Sequence, residues 1–397
     1  MAAMNFSIIN LGCKVNRVES DDVAATLLAQ GSQFVELEEA QLIIVNTCTV
    51  TGEAEKKTRK AVRHALRANE SATVVVTGCA AAIDASLYEE MSPRVRIVAK
   101  GDLMQKVAAS QQRLERLRVG DSFPTRVGIK VQDGCNNACT YCIVHVARGR
   151  AWSQPSSEIV EEVRAYGAAG VRELVLTGIN LGSYRESSPE GCANLAALLR
   201  QLLDAAPEAR FRISSIEPRD IDDELIALLA ESEGRICRHL HLPLQSGSSK
   251  VLKEMARPYD ARWYSDLIDR IRAEVPSVAF STDIIVGFPG ETDDDFQMTL
   301  DMVRHCRFAK VHVFRYSKRD GTPAALRADQ IPPEIKSQRS KELERVADEV
   351  RAQERASRAG AREMVLVETD GAATSESYYT LEAPADSSPG MLVEISM

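Results

Sequence analysis

Long apolar runs are absent from this chain of 397 residues. No segment approaches the roughly 20 consecutive apolar residues that a membrane-spanning helix needs. Residues 1–7 also lack the basic segment, followed by an apolar one, that is typical of an export signal. We therefore expect a cytoplasmic protein with no membrane-embedded part, and its length predicts two or three domains.

The sequence also lacks a disulfide pattern and an excess of positive charge. Nine cysteines are an odd number in a long chain without an export signal, which favours reduced thiols that act as ligands. The formal net charge is -8. Such a balance repels nucleic acid on average, so any contact with RNA requires a local basic patch.

One short loop contains three cysteines and lacks a fourth. Cys135, Cys139 and Cys142 are separated by three and then two residues. Three thiolates can hold three irons of a four-iron cubane and leave the last iron open for a cofactor that brings its own donor atoms. The alternative is zinc, but zinc folds usually supply a second pair of cysteines, and no second Cys-x2-Cys follows. The spacing therefore favours an iron–sulfur cluster.

Three further cysteines each follow an apolar run in the first hundred residues. The pairs Gly12-Cys13, Thr47-Cys48 and Gly78-Cys79 are 35 and 31 residues apart, close to the length of a βαβ unit. Parallel strands end at one edge of their sheet, so these thiols are expected to meet where open α/β sheets bind ligands. A second metal cluster is favoured over the alternative of three buried, apolar cysteines. Cys192, Cys237 and Cys306 fit neither triplet and are expected to be buried thiols.

Strand-like runs and amphipathic segments alternate six times from residue 126 onward. Six βα units in about two hundred residues suit a partial barrel, because a closed eight-fold barrel needs about 250. A long charged helix follows Pro332-Pro333, and short strand-like runs after Glu363 predict a small β module. We expect an α/β protein with an N-terminal parallel-sheet domain (4–110), a partial (β/α)6 barrel (124–330), a linking helix (331–360) and a short C-terminal β module (361–397).

Polar and glycine-rich turns follow the barrel strands, at the end where barrels build their sites. Residues 177–180 let the backbone approach a ligand, and residues 214–217 offer hydroxyl and carboxylate groups suited to a ribose or an amine. Each turn alone also fits a packing role. The residues expected to bind a cofactor in these turns are Gly178, Asn180, Ser215, Glu217, Gln245, Gly287 and Glu291.

A basic segment and two arginines are candidate contacts for RNA phosphates. Residues 56–67 contain six Lys or Arg and no acid, although a solvated helix face explains this charge equally well. Arg148 and Arg150 follow the cysteine loop and are better placed for a substrate phosphate. The residues assigned to RNA contact are Arg148, Arg150, Lys56, Lys57, Arg59, Lys60 and Arg63.

The cysteine loop resembles the signature of radical S-adenosylmethionine (SAM) enzymes, and the two triplets together resemble the methylthiotransferase family. The matching segments are Asn10-Leu-Gly-Cys-Lys-Val-Asn16, Asn46-Thr-Cys48, Thr77-Gly-Cys79, Gln245-Ser-Gly-Ser248 and Ile285-Val-Gly-Phe-Pro-Gly-Glu-Thr292. Residues 11–16, 132–137, 147–150 and 316–319 look most like the branch that acts on threonylcarbamoyladenosine in tRNA. The resemblance covers residues from about 5 to 360.

This resemblance implies methylthiolation of adenine ring carbon 2 in N6-threonylcarbamoyladenosine, at tRNA position 37 beside the anticodon. It implies one [4Fe–4S] cluster on Cys135, Cys139 and Cys142, which binds SAM beside Tyr141. A second [4Fe–4S] cluster, on Cys13, Cys48 and Cys79, would deliver sulfur. The implied partners are the tRNA anticodon stem-loop, an electron donor such as flavodoxin or ferredoxin, and a sulfur source for the second cluster.

The C-terminal module resembles a shortened form of the family's RNA-binding TRAM barrel. Residues 363–397 nevertheless contain no Lys or Arg and seven acids, a composition that should repel phosphate. Other functions remain open at this point. They are the same chemistry on isopentenyladenosine in tRNA or on a ribosomal-protein aspartate, and a non-catalytic RNA-binding protein with structural zinc.

Overall fold

The N-terminal part of the chain forms a five-stranded parallel sheet. The computed structural model describes residues 4–49, 52–99, 125–187 and 191–397. The first elements are β1 (Asn5–Asn10), α1 (Lys14–Ala29), β2 (Gln33–Phe34), β3 (Leu42–Thr47), α2 (Gly52–Ala68), β4 (Thr73–Gly78), α3 (Cys79–Ile83), α4 (Ser86–Glu89) and β5 (Val95–Ile97). The sheet order is β2-β1-β3-β4-β5. Ile43 and Ile44 of β3 join apolar clusters on opposite faces, as expected for a strand buried on both sides.

Six parallel strands form the partial barrel. They are β6 (Arg126–Lys130), β9 (Glu173–Thr177), β10 (Arg210–Ile213), β11 (His239–His241), β12 (Ala279–Val286) and β13 (Lys310–Arg315), and a short antiparallel pair, β7 (Gln132–Asp133) and β8 (Trp152–Ser153), follows β6. They form two three-stranded sheets, which single bridges join at Phe211–Ile236 and Ser215–His241. The partial barrel expected from the sequence is confirmed.

Helices cover the outside of this barrel and continue beyond it. They are α5 (Val144–Arg148), α6 (Ser156–Ala168), α7 (Leu195–Ala205), α8 (Asp223–Glu231), α9 (Ser249–Glu254), α10 (Ala261–Glu274), α11 (Asp293–Cys306) and α12 (Pro333–Ala356). Asn194, Asp222, Asp260 and Thr292 cap the helices that follow them with side-chain oxygens. In the described part of the chain, none of the helices combines the length and apolar composition of a membrane span.

The N-terminal sheet domain packs directly against the barrel. Val18 of α1 lies so close to β6 that a Cβ atom on Gly128 would be 2.5 Å from its Cγ2 atom. The Cys79 helix, α3, packs against α5, which follows the barrel's cysteine loop. The two cysteine-bearing regions are therefore neighbours in space. The predicted boundary between 110 and 124 lies outside the described residues.

The C-terminal module is a four-stranded antiparallel sheet that docks on the barrel. Its strands are β14 (Arg362–Val367), β15 (Ala372–Ser375), β16 (Thr380–Glu382) and β17 (Leu392–Ser396), in the order β16-β15-β14-β17. Arg210 and Arg212 of β10 donate hydrogen bonds to four carbonyl groups of this module. Residues 378–381 look like one strand in the sequence, but Tyr378 lies in a turn with a φ of 71° and the strand begins at Thr380.

Candidate functional site

Cys13, Cys48 and Cys79 follow three adjacent strands at one edge of the N-terminal sheet. Strands β1, β3 and β4 are parallel and paired in register, so the residues after them reach the same edge. A Cβ atom on Gly12 would lie 2.9 Å from Cys48 Sγ, which places that thiol against the residue before Cys13. Cys48 and Cys79 are buried, and Cys13 is exposed. We call these three residues the N-terminal triplet.

Two asparagines, Asn16 and Asn46, which the sequence shows only as ends of matching segments, hold these loops in place. The Asn16 amide donates to the carbonyl oxygens of Leu11, at 2.8 Å, and Thr47, at 2.9 Å. Asn46 donates back to the Asn16 carbonyl at 2.9 Å. Asn16 Oδ1 also accepts a weak hydrogen bond from Cys13 Sγ at 3.7 Å. The pair therefore fixes two of the three cysteine loops relative to each other.

Cys135, Cys139 and Cys142 lie in the loop between β7 and α5, and we call them the barrel triplet. The backbone N–H groups of Asn137 and Val144 each point at a thiol sulfur, Cys135 Sγ and Cys142 Sγ, at 3.4 Å. Burial raises the pKa of the Cys142 thiol to about 11 and also raises the pKa of Cys135. Thiolates in so buried a place require N–H donors and a metal to stabilise their charge.

Arg257 supports the barrel triplet from behind. Its Nη1 atom lies 3.3 Å from Cys139 Sγ, and its Nη2 atom pairs with Glu217 Oε1 at 2.5 Å. Tyr259 accepts from the same guanidinium and donates to the Pro243 carbonyl. Arg257 is not identifiable from the sequence, since a single arginine after a short helix gives no local signal. The sequence predicts that Glu217 binds a cofactor, but one of its carboxylate oxygens forms this buried ion pair with Arg257.

Arg148 joins the two cysteine-bearing regions. Its side chain is only 1% exposed and bonds to Asp133 at 2.9 Å on the barrel side. On the N-terminal side it bonds to Glu19 at 3.0 Å and to Asn16 Oδ1 at 2.6 Å. Burial acts to lower the pKa of Arg148, but the nearby thiols of the N-terminal triplet and the two carboxylates raise it overall. The guanidinium therefore lies close to both cysteine regions.

This placement corrects the expectation that Arg148 contacts a substrate phosphate. Its guanidinium is buried between two domains and engaged by carboxylates, so it does not face solvent. Arg150, two residues on, is exposed. A position next to the cysteine loop in sequence does not determine the direction of a side chain.

The basic segment lies on α2, which follows Cys48. Its exposed Lys and Arg residues are Lys56, Lys57, Lys60, Arg63 and Arg67. Arg59 is partly buried and pairs with Glu55 at 3.2 Å. Glu55 also pairs with Arg319, beyond β13, at 2.9 Å, and the Thr58 hydroxyl lies 3.4 Å from the Cys48 carbonyl. The basic helix therefore borders both the N-terminal triplet and the barrel.

The turn after β9 lies against the barrel's cysteine loop. A Cβ atom on Gly178 would lie 2.9 Å from Gln132 Oε1, and that oxygen accepts from the Asn180 N–H at 2.8 Å. Gln132 also donates to the carbonyls of Asp133 and Gly134. Among the described residues Asn180 Oδ1 is buried and has no hydrogen-bond partner. This free acceptor can take a hydrogen bond from a ligand's amino group.

The remaining turn residues have mixed placements. Ser215 forms the bridge to β11, and Gln245 has a left-handed φ of 72°. The position of Glu291 differs from the expectation that this residue binds a cofactor. The residue is buried, and its Oε2 atom accepts from the Gly287 N–H at 2.7 Å and from Arg339 of α12 at 2.6 Å. Its carboxylate therefore fixes the turn after β12 rather than facing a cofactor.

Tyr141, expected beside the cofactor, packs against a small apolar cluster. Its neighbours include Val251, Met255, Phe288 and Tyr316. Burial raises the pKa of its hydroxyl well above the usual value. The ring therefore anchors the cysteine loop to the turns after β12 and β13. The remaining cysteines, Cys192, Cys237 and Cys306, are buried, as expected.

Family models match two parts of the chain. The radical SAM superfamily model matches residues 129–303, and the model described as uncharacterized protein family UPF0004 matches residues 5–100. The solved structure of the radical SAM methyltransferase TsrM from Kitasatospora setae, with cobalamin and a [4Fe–4S] cluster bound, shares the fold. Its TM-score is 0.56 and its identity 14%, over 82% of this chain and 77% of that one.

Curated relatives cover most of the chain. The threonylcarbamoyladenosine tRNA methylthiotransferase MtaB of Bacillus subtilis is 38% identical over 86% of this chain and 79% of its own length. MtaB of Chlamydia pneumoniae is 39% identical over 94% and 90%. The tRNA-2-methylthio-N(6)-dimethylallyladenosine synthase of Carboxydothermus hydrogenoformans is 38% identical over 86% and 83%. The chain therefore belongs to the methylthiotransferase family of radical SAM enzymes, which use SAM and [4Fe–4S] clusters.

Proposed function

We propose that this enzyme inserts a methylthio group at adenine carbon 2 of N6-threonylcarbamoyladenosine, at position 37 of tRNA. The observation that carries the proposal is the packing of α3, which begins at Cys79, against α5, which follows the barrel triplet. A sulfur donor and a radical generator must reach the same base, and this contact makes them neighbours. Action on tRNA implies a cytoplasmic enzyme and the anticodon stem-loop as its partner.

Each triplet is proposed to hold one [4Fe–4S] cluster. Both sets contain three soft thiol donors, and the barrel triplet adds two backbone N–H groups and Arg257 around its sulfurs. Three thiol ligands leave one iron of a cubane free, which suits a cluster that binds a further ligand. When bound, the clusters and SAM supply the radical, the sulfur and the methyl group that side chains cannot provide.

The proposed SAM site lies at the carboxyl ends of β9–β12. The unpartnered Asn180 Oδ1 suits the amino group of SAM, and Gly178 brings the backbone close to the cysteine loop through Gln132. Ser215, Gln245 and the turn held by Glu291 border the same end of the barrel. In this proposal Glu217 acts through Arg257, and Tyr141 positions the loop.

The proposed RNA surface is the exposed side of α2 together with Arg150. Clustered Lys and Arg side chains attract a phosphate backbone, and α2 borders both the N-terminal triplet and the barrel. The C-terminal module is proposed to stay off the RNA, because residues 363–397 contain seven acids and no Lys or Arg, and this charge repels phosphate. Its inner side is occupied by Arg210 and Arg212 of the barrel. An electron donor such as flavodoxin or ferredoxin and a sulfur source complete the proposed partners.

The substrate branch can be tested with tRNA nucleosides. We expect tRNA from a deletion strain to keep threonylcarbamoyladenosine and to lack its methylthio derivative, as measured by mass spectrometry of digested tRNA. Complementation with Cys48→Ala or Cys142→Ala should fail, whereas the control Cys306→Ala should restore the modification. Loss of the methylthio group from isopentenyladenosine instead would assign the enzyme to the other tRNA branch. A colourless protein that retains zinc and leaves both nucleosides unchanged would reject the enzymatic proposal.

A further inference from the structure

Three polar side chains converge on the inner surface of the barrel, away from both triplets in sequence. His241, Asp283 and His312 lie on the neighbouring strands β11, β12 and β13, and their ligand-type atoms all lie within 4.8 Å of one another. His241 Nε2 is 3.3 Å from Asp283 Oδ1. Neither the fold nor the proposed cluster and SAM sites use these groups.

This cluster is held in place yet open to a ligand. The Ser281 hydroxyl lies 2.8 Å from His241 Nδ1, which directs the other ring nitrogen toward Asp283. The side chain of Asp283 is 28% exposed and that of His241 15% exposed. His312 is exposed to solvent. A molecule that enters the barrel can therefore reach all three.

Lys14 adds an unbalanced positive charge to the same pocket. It follows Cys13 directly and begins α1, and its ammonium group lies 5.4 Å from the centre of the Tyr378 ring. Within the described ranges of the chain, no carboxylate forms an ion pair with Lys14. Although His312 reaches solvent, the surrounding barrel removes part of its hydration and lowers its pKa. Asp283 acts in the opposite direction, and the charges of His241 and Lys14 lower the pKa further. The Tyr378 ring in turn lies 4.9 Å from the His239 ring, and His239 shares the Ser281 hydroxyl with His241, so the ammonium lies beside the cluster. Its positive charge disfavours a bound cation.

We propose that this pocket, formed by Lys14, His241, Asp283 and His312, binds a carboxylate-bearing substituent on the N6 atom of the substrate adenosine. Lys14 pairs with the carboxylate, and the other three side chains hydrogen-bond the polar atoms beside it. The inference rests on the proposed function and deepens it, because it names the residues that select the substrate. Lys14 links the pocket to the N-terminal triplet, since Cys13 precedes it.

The physical basis of selection is the cost of leaving polar groups unpaired. A substituent with a carboxylate and hydroxyl groups forms hydrogen bonds with the polar side chains of the pocket. An isopentenyl group displaces water from these side chains and forms no hydrogen bond with them. Sites built to hydrogen-bond a substrate reject analogues that lack the partner by large factors, up to about 10⁴–10⁵ in the strongest cases. This pocket is partly open, so we expect about 10- to 100-fold for each charged or polar contact.

The test compares reconstituted variants on two defined tRNAs. Lys14→Met removes the ammonium group, and His312→Phe removes the imidazole nitrogens. Their matched controls are Arg17→Met, one turn along α1, and His305→Phe on the outer helix α11. The measurements are kcat/KM on tRNA bearing threonylcarbamoyladenosine or isopentenyladenosine, iron content, and the Kd for SAM. We expect kcat/KM on the threonylcarbamoyl substrate to fall about 10- to 100-fold in the two pocket variants. Iron content and the Kd for SAM should stay unchanged, and the controls should match the parent protein.

Three results would overturn the inference while leaving the proposed function intact. The pocket variants could keep the full preference for the threonylcarbamoyl substrate. They could instead change iron content or the Kd for SAM, which would place these residues in the cofactor site. A zinc ion bound at one per chain and lost in His312→Phe would assign the pocket to a metal. Failure of the proposed function is a separate result, in which the parent protein shows no turnover of threonylcarbamoyl tRNA.

Discussion

Replacing Arg148 should loosen the contact that brings the two cysteine triplets together. In Arg148→Ala the guanidinium disappears from between Glu19 and Asp133, whose side chains are 15% and 10% exposed. Both carboxylates would then lie at the interface without their main partner. Arg148→Lys should rescue only part of the loss, because one ammonium group cannot match the two-sided geometry of a guanidinium.

The size of the effect follows from the burial of the pair. Breaking a buried ion pair by removing one partner costs about 3–5 kcal/mol. Lys130 lies 3.4 Å from Glu19 and 3.3 Å from Asp133, and it offsets part of this loss. We therefore expect about 3 kcal/mol, which corresponds to about a 10²-fold rise in the population of the open interface.

Hydrogen exchange measured by mass spectrometry provides the assay. It reports the opening of one region even when the rest of a multi-domain protein stays folded. Amides of α1 and α5 should exchange about 10²-fold faster in Arg148→Ala, while those of α10 stay unchanged. The control is Arg150→Ala, an exposed site where a change of at most about 0.5 kcal/mol is expected. Exchange in α1 and α5 that matches the control would refute the role given to Arg148.

Three further predictions concern other contacts. Arg257→Met should lower the reduction potential of the barrel cluster, because a hydrogen bond and a positive charge leave Cys139; a redox titration followed by EPR that shows no shift would contradict this. Gly78→Ala should reduce iron content to about four per chain in an elemental analysis, since the new Cβ would clash with the Thr47 carbonyl oxygen at a backbone φ of +97°. Two buried arginines lower the pKa of Glu173 to about 2 although burial opposes them, so docking of the C-terminal module should be fully stabilised above about pH 4.5. That stability should be lost as pH falls toward 2, as seen by exchange in β14, and Glu173→Gln should cost about 3–5 kcal/mol at neutral pH.

The sequence contains the information that places the cysteines. Apolar runs that end in cysteine at βαβ spacing are sufficient to predict neighbouring strand ends, because parallel strands share one edge. The cysteine loop is local, so its three thiols need no tertiary information at all. The six barrel strands can also be predicted from local information, because apolar runs alternate with amphipathic segments along the chain.

Contacts between distant segments could not be predicted from the sequence. Arg257 reaches Cys139 from 118 residues away, and Arg148 reaches Glu19 from 129 residues away. No local pattern encodes either pair. Residues 378–381 read as a strand because their composition is β-prone, but tertiary contacts override that preference, since the Tyr378 ring lies beside the guanidinium of Arg212 at 4.7 Å.

The central claim is that two iron–sulfur clusters lie next to each other, and EPR of the fully reduced enzyme tests it most directly. The parent protein should contain about eight irons per chain, and its spectrum should show magnetic coupling between two nearby clusters. Cys48→Ala and Cys142→Ala should each retain about four irons and give simple uncoupled spectra. A parent spectrum equal to the sum of the two variant spectra would contradict the account.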